Sequence, residues 1–494
     1  MGIIKKQSIS GSVYSYVGVI LGFILSGILF PNLLSKGEIG LLRVLVSYSI
    51  LLAQFAVLGF NTVTIKLFPS FRDPKRKHHG FLGLALLISL VGFILTVAVY
   101  LGFHDYIISN VKEKSALFIP YYYLVIPLVF FTLLFSVFDN YYRVLYNAVK
   151  GIVYKEVVQR VLMIFSVIVY YFGYVDFNMF VILYSISIAS PAIFLLIALL
   201  KDKVFFIKPD LSFIDKKLRN QMLSIAMFGM IAGYSGVLVQ NIDLIMVNHY
   251  LGLSNAGVYT ITFFFGTLIL IPLRTMGKIS SVVISDAWKV NDRETIMDIY
   301  RKSSISLSVL GVLLFIGIWG NIDNVFEIIG HDYESGRYVI LFIALASLTD
   351  VFLGISPHVI VNSPEYRWLS YILIVYAVLI VISNLIFIPR FGIIGAAIAT
   401  LLSKSINNLM KFGFLYWKYR FQPFNMNMIL LFIIGVFSWG ISVMVPKVDF
   451  FVLDILVRSS IISVVFILAV YIFKISDDVN LFIDKFLRNI NLIK

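Results

Sequence analysis

The sequence predicts an all-α polytopic membrane protein of about fourteen spanning helices: two pseudo-symmetric six-helix lobes followed by two extra helices. Three observations predict it. The 494 residues are 60% hydrophobic and only 13% charged, with a mean hydropathy of +0.95, far from the composition of soluble domains. Apolar runs of about 18 to 25 residues recur from end to end, each long enough to cross the hydrocarbon core as a helix and none alternating like a barrel strand. Finally, the spacing of the first six runs returns in the next six.

In chain order the runs cover residues 9–31, 39–67, 81–103, 116–138, 157–174, 178–200, 222–248, 256–285, 302–322, 337–356, 369–388, 392–415, 428–446 and 453–474. The first follows Lys5 and Lys6 as a secretory signal would, yet it has no small-residue cleavage site and exceeds the length of a signal core. It is predicted to be retained as a span. Loops on one side, including "RDPKRKHH", "KDKVFFIKPDLSFIDKKLRN" and "KVNDRETIMDIYRK", carry the basic residues, whereas "GYVDFN" and "HYLGLSN" carry no Lys or Arg. About 26 Lys and Arg fall on the first side and about 6 on the other, so the positive-inside rule places both termini in the cytoplasm. The same bias accounts for most of the formal net charge of +14, which in this setting implies no nucleic-acid partner.

The repeat appears on shifting the chain by about 217 residues: "NLLSKGEIGLLRV" falls on "HYLGLSNAGVYTI", matching Leu34 with Leu251 and Gly40 with Gly257. Six spans per copy give both copies the same orientation, so the expected relation is a pseudo-twofold axis along the membrane normal with a central cavity between lobes. The organisation read from this is an N-lobe over 1–208, a linker over 209–221, a C-lobe over 222–420, spans thirteen and fourteen over 421–474 and a tail over 475–494. Linker and tail both show apolar residues at helical spacing among basic ones, Leu211, Ile214 and Leu218 in the first and Val479, Phe482, Ile483, Phe486 and Ile490 in the second. Each is expected to form an amphipathic helix on the inner leaflet.

Several chemistries are excluded or unsupported. The chain has no cysteine, hence no disulfide, thiol catalysis or cysteine-ligated metal. Gly277-Lys278 is followed by Ile279 and preceded by no glycine-rich turn, so there is no Walker phosphate loop. His78 and His79 lie in a basic loop and are expected to be solvated rather than metal-bound, and Asp139, Arg143 and Glu156 are likewise assigned to a solvated inner loop. No metal and no cofactor is expected.

At "VQNIDLIMVNHYLGLSNAGVYTI" and "NLIFIPRFGIIGAAIATLLSKSINNL" the sequence resembles the polysaccharide biosynthesis branch of the multidrug/oligosaccharidyl-lipid/polysaccharide (MOP) exporter superfamily, the Wzx-type flippases. Asp243, Gly252, Gly257 and Tyr259 carry the first match, and Pro389, Gly392 and Gly395 the second. With the span count and repeat, the resemblance covers about residues 1–474. It implies a MATE-like fold and, as function, transfer of undecaprenyl-diphosphate-linked oligosaccharide (an O-antigen, lipopolysaccharide, capsule or exopolysaccharide repeat unit) from the inner to the outer leaflet of the bacterial cytoplasmic membrane by alternating access. It makes the protein a transporter and not an enzyme, with the lipid bilayer and glycan polymerase machinery as further partners. Motif residues carry over as structural markers, and physical reasoning agrees for Gly395, whose small neighbours Ala396, Ala397 and Ala399 suit close helix packing.

The charged residues within the runs are the candidate site. A cation at mid-membrane costs about 2.5–3.5 kcal/mol on insertion scales and calls for a use. Arg274 and Lys278 lie one turn apart, below Pro272, which should kink the span. Both fit either a cationic cavity wall or snorkelling to the inner headgroups. Arg43 fits a cavity or the outer interface; Arg160 and Lys404 are further cavity candidates. Such a wall would pair with the phosphates of the carrier lipid, and Arg does so in bidentate fashion. Asp243 and Asp350 fit either coupling to an H+ or Na+ gradient or an ion pair that fixes packing. The competing readings are a lipid II flippase, a drug/cation antiporter, which would favour an acidic cavity, and a membrane glycan polymerase, which would need a larger outer loop than any present.

Overall fold

The computed structural model describes residues 2–111 and 115–489; within these, the side chains of residues 2–9, 110, 111, 275, 278, 279, 282, 486, 487 and 489 are not described. Every regular element among the described residues is helical. Twelve helical segments are long and apolar enough to cross a membrane, and the protein is a multi-pass membrane protein. The twelve differ from the fourteen expected runs at two places. Arg367–Tyr419 is assigned as one helix of 53 residues but covers two runs, reversing at Gly392, where φ is 60° and ψ −140°. The fifth run is a composite of Val149–Ile152, a π-helical Val153–Val158 and Gln159–Tyr171.

Local sequence sets the helix starts. Ser35 and Glu38 form a capping box on Lys36–Ala56, with the Glu38 amide donating to Ser35 Oγ at 3.3 Å and the Ser35 amide to Glu38 Oε2 at 2.7 Å. Asp176, Asp215, Asp292 and Asn425 cap Phe177–Lys201, Lys216–Leu251, Arg293–Gly320 and Met426–Val443, each carboxylate or amide satisfying an otherwise orphaned amide of the first turn. The run expected over 39–67 is broken between Ala56 and Phe60, where Leu58 and Gly59 have φ of 50° and 73°.

Two compact units compose the chain, Met1–Thr260 and Ile261–Lys494. In the first, Lys36–Ala56 packs against Val125–Val144 and Lys216–Leu251, and Phe177–Lys201 against Val125–Val144 and Gln159–Tyr171. In the second, Arg337–Phe352 packs along Arg367–Tyr419, while Arg293–Gly320 contacts both C-terminal spans, Met426–Val443 and Phe451–Ile472. The segment expected as a separate amphipathic helix over 209–221 is instead a 3-10 turn at Leu211–Phe213 followed by the first turns of Lys216–Leu251. Asp215 at the N-cap explains where that helix begins. The tail does form a helix, Asp477–Asn489, while Phe486 and Ile490 of its expected apolar face lie outside the described side chains.

One contact within the first unit reflects the repeat. A β-carbon on Gly40 would overlap the Leu253 carbonyl oxygen, and one on Gly257 would overlap that of Lys36. Residues 36 and 253, like 40 and 257, differ by the repeat shift. The contact is therefore reciprocal, each helix start lying on the glycine of the other, as across a twofold axis.

Candidate functional site

In the first unit the polar groups gather on one face of the first span. Gly18, Gly22 and Ser26 follow one another at four-residue steps, and Ser26 belongs to a π-helical stretch, Ile24–Leu29. Such stretches inside α-helices recur at functional sites. Arg43 donates from Nη2 to Ser26 Oγ at 2.8 Å, lies 5.6 Å from the Phe30 ring centre, and has its Nε buried without a hydrogen-bond acceptor. Its side chain thus turns back onto the first span. Arg160 donates to the Gly18 carbonyl, sits where a Gly22 side chain would be, and pairs with Glu156 at 2.7 Å. Glu156 lies in the second π-helical stretch. Both arginines predicted for this lobe therefore meet the same helix.

Asp243 is buried and accepts a hydrogen bond from the Tyr259 hydroxyl at 3.2 Å. Its position joins the helices on either side of the Gly252 turn, and Tyr259 of the sequence motif is thereby a partner of Asp243 and not an isolated marker.

In the second unit a 3-10 turn at Leu268–Leu270 interrupts the helix that carries "IPLRTMGK", and Pro272 opens Ile271–Lys289 within its first turn, where a missing amide costs nothing. Arg274, two residues on, is exposed. Lys278 continues the helix, and its side chain lies outside the described residues.

A polar network within the spans joins Arg337–Phe352 to Arg367–Tyr419. Thr400, Ser403, Lys404, Asn407, Asn408 and Lys411 recur at three- and four-residue steps and so form one polar stripe along an otherwise apolar helix. Lys404 pairs with Asp350 at 2.7 Å. Asn408 donates to Asp350 Oδ1 at 2.8 Å and to Thr349 Oγ1 at 2.9 Å, and its own carbonyl accepts from Lys411 at 2.9 Å. Asp350 and Lys404, read separately from the sequence, are one ion pair. Lys411 was not anticipated: it lies near the end of its apolar run, where a lysine reads as interfacial, although its seven-residue spacing from Lys404 was a visible signal. It is only 7% exposed.

The motif residues hold geometry. Pro389 and Gly392 mark the reversal between the paired spans, and a side chain on Gly395 would overlap the Phe387 carbonyl oxygen. The loop residues require correction. His78 and His79 are each 6% exposed, in a run from Lys77 to Gly80 with positive φ throughout. His79 stacks on Phe213 with ring centres 3.8 Å apart and hydrogen-bonds Asp210 at 3.1 Å; hydrophobic and polar partners from the following connection replace the expected solvent. Asp139 is buried within the helix Val125–Val144, paired with Arg143 at 2.7 Å. No group of three or more His, Asp or Glu suited to a metal occurs among the described residues.

Comparison with known proteins places this geometry. The family model described as "Polysaccharide biosynthesis protein" matches residues 4–278. An uncharacterized membrane protein of Methanocaldococcus jannaschii is 24% identical over 469 residues, 91% of each chain. Among solved structures, the lipid II flippase MurJ in an inward closed conformation superposes with a TM-score of 0.74 at 13% identity, covering 94% of this chain and 98% of its own. An inward-facing MATE family multidrug transporter gives 0.61 at 16% identity over 82% and 94%. A MOP superfamily transporter from Pyrococcus furiosus, described as having a binding pocket of reversed polarity, gives 0.56 at 15% over 85% and 96%. These likenesses establish a MurJ- and MATE-like fold.

Proposed function

The chain belongs to the polysaccharide biosynthesis protein family, and from that premise we propose that it is a flippase for polyprenyl-diphosphate-linked oligosaccharide, with undecaprenyl the expected carrier. The lipid would cross from the inner to the outer leaflet of the cytoplasmic membrane, both termini lying on the cytoplasmic side. The observation that carries the reading is the set of basic side chains within the spans: Arg43 and Arg160 along the first span, and Lys404 and Lys411 in the second unit, with Arg274 exposed at the end of its own span. Cations held at this depth are costly unless used, and a diphosphate needs positive charge along its route while its prenyl tail remains in lipid. Alternating access would expose that route to each side in turn, and glycan polymerases would receive the product.

The intramembrane acids fit a drug/cation antiporter less well. Asp350 is already neutralised by Lys404, and Asp243 is engaged by Tyr259. Of the two, Asp243 remains the better candidate for binding a coupling H+ or Na+, because it is buried and held by the Tyr259 hydroxyl, whereas Asp350 is engaged by a lysine. A lipid II flippase is the second reading, favoured by the fold likeness to MurJ.

Reconstitution tests the proposal. Proteoliposomes bearing the protein should move a short-chain lipid-linked oligosaccharide from one leaflet to the other, and Arg43→Ala and Arg274→Ala should each slow it at unchanged protein content. Equal rates in empty and loaded vesicles would refute it; selective transfer of lipid II would select the second reading.

A further inference from the structure

One carboxylate serves two buried ammonium groups in the second unit. Lys404 pairs directly with Asp350, but Lys411, at 7% exposure, reaches Asp350 only through the neutral amide of Asn408. The cluster Thr349–Asp350–Lys404–Asn408–Lys411 therefore sets two buried lysines against one carboxylate in a low-dielectric setting. Buried charges of this kind are costly unless paired. A lysine ammonium has three donors, and among the described residues that of Lys411 forms a single hydrogen bond, to Asn408. Between the two lysines on the same helical face lies Asn407, 3% exposed, whose Oδ1 has no hydrogen-bond partner among the described residues. A buried amide whose oxygen lacks a donor, set between two lysines, is an incomplete polar site, and a flip of the same amide presents its two N–H donors to an acceptor instead.

From this we infer that Lys404, Asn407 and Lys411 form an anion site for a phosphate or diphosphate group, and that Asp350 is its built-in counter-ion, displaced when the anion enters. The inference rests on the flippase reading for the identity of the anion, though not for the existence of the site. Lys404 and Lys411 are about 10 Å apart along the helix, so each can donate to one end of an extended anion while Asn407 turns its amide toward the middle. Asp350, with Oδ2 on Lys404 and Oδ1 on Asn408, occupies the position an incoming oxyanion would take. The carboxylate thereby keeps the site neutral and closed to small anions of low charge, and a diphosphate outcompetes it by carrying more charge and more acceptor oxygens.

The experiment is calorimetric titration of the purified full-length protein in nanodiscs with inorganic pyrophosphate. Asp350→Asn, which removes the competing charge at constant shape, should bind pyrophosphate about tenfold more tightly than the unaltered chain. Lys411→Met should weaken binding by about tenfold or more. Asn408→Asp, which fixes a second carboxylate between the lysines, should also weaken it, and it guards against misfolding of the other two. Asp350→Asn binding no tighter than the unaltered chain, or Lys411→Met binding equally well, would overturn the inference, as would absence of binding in both Asp350→Asn and the unaltered protein. A parallel titration with farnesyl diphosphate separates sources of the anion: tighter binding than pyrophosphate assigns the site to a lipid headgroup, equal binding to free phosphate, and both keep the site. No sugar-linked lipid enters these titrations. A protein that binds pyrophosphate as described yet moves no lipid-linked oligosaccharide would refute the flippase reading alone.

Discussion

At the scale of single residues, Asp454 shows what a satisfied buried charge looks like beside the unbalanced pair at Lys404 and Lys411. It is 1% exposed and receives Arg458 Nε at 2.7 Å, Asn324 Nδ2 at 2.6 Å and the Val448 amide at 2.9 Å. Arg458 in turn donates to the Ser442 and Val445 carbonyls at 2.8 and 3.0 Å. The network ties the last span to the end of the preceding one, so the two C-terminal helices are bolted to each other and not a loose appendage. Removing one partner of such a pair strands the other, at about 3–5 kcal/mol. Asp454→Ala should therefore lower the thermal midpoint in detergent markedly, while Asp286→Ala, whose carboxylate meets Lys289 at the surface, should leave it nearly unchanged. Equal midpoints in the two variants would contradict this. The i, i+4 spacing of Asp454 and Arg458 was a legible signal within an apolar run; Asn324 was not, because 130 residues separate it from Asp454, nor was Val448, because it donates from its backbone amide and leaves no mark on the residue pattern.

Asp202 offers a pH-dependent counterpart outside the spans. The hydrogen bond from Lys150, with a second from Tyr142, holds its carboxyl below the ordinary 3.8. A carboxylate depressed in the folded state supports stability above its unfolded value and loses that support as pH falls through the folded one. The stability of the unaltered protein should exceed that of Asp202→Asn above about pH 4 and converge with it in stronger acid. Thermal melts at stepped pH measure the difference, and a gap that widened in acid would reverse the assignment.

At the scale of elements, hydropathy located the runs because lipid demands continuous apolar helix. It could not locate their interruptions. The π-helical stretches Ile24–Leu29 and Val153–Val158 contain ordinary apolar and polar residues, and a one-residue change of hydrogen-bond register leaves no mark on average hydropathy. The break at Leu58–Gly59 is similar: it answers to Lys216–Leu251, which passes so close that a Gly59 side chain would overlap the Ala226 carbonyl oxygen. Gly392 was legible because Pro389 and Gly392 together read as a turn. Its φ of 60° with ψ of −140° lies where only glycine is comfortable. Gly392→Ala should cost about 1–3 kcal/mol, seen as a lower thermal midpoint, whereas Gly440→Ala, with open space around the added carbon, should be tolerated. A Gly392→Ala protein as stable as its parent would show the reversal to be free of strain.

At the scale of the molecule, the family was legible in the motif at residues 239–261, inside the matched region 4–278, whereas the motif at Asn384–Leu409 lies beyond that region, and the site was legible only in fragments. Arg43, Arg160, Lys404 and Asp350 were identifiable one by one as ionisable groups in lipid, but their grouping depends on which helices are neighbours. Asp350 and Lys404 lie on helices separated by a whole span, and no local pattern reports that they touch. Replacement of both Arg43 and Arg160 should reduce translocation more than either single change without altering expression, as measured in the reconstituted assay. Full transport by the double variant would leave the first-span face a packing feature.

The reciprocal glycine contact constrains both halves of the chain at once. A surface patch that meets its own duplicate, 36 upon 257 and 253 upon 40, is the joint by which two identical subunits associate. A single chain that contains it carries internally the kind of joint that identical subunits make between them. A side chain at either glycine would meet a carbonyl belonging to the other copy, so each half constrains what the other can carry at this point.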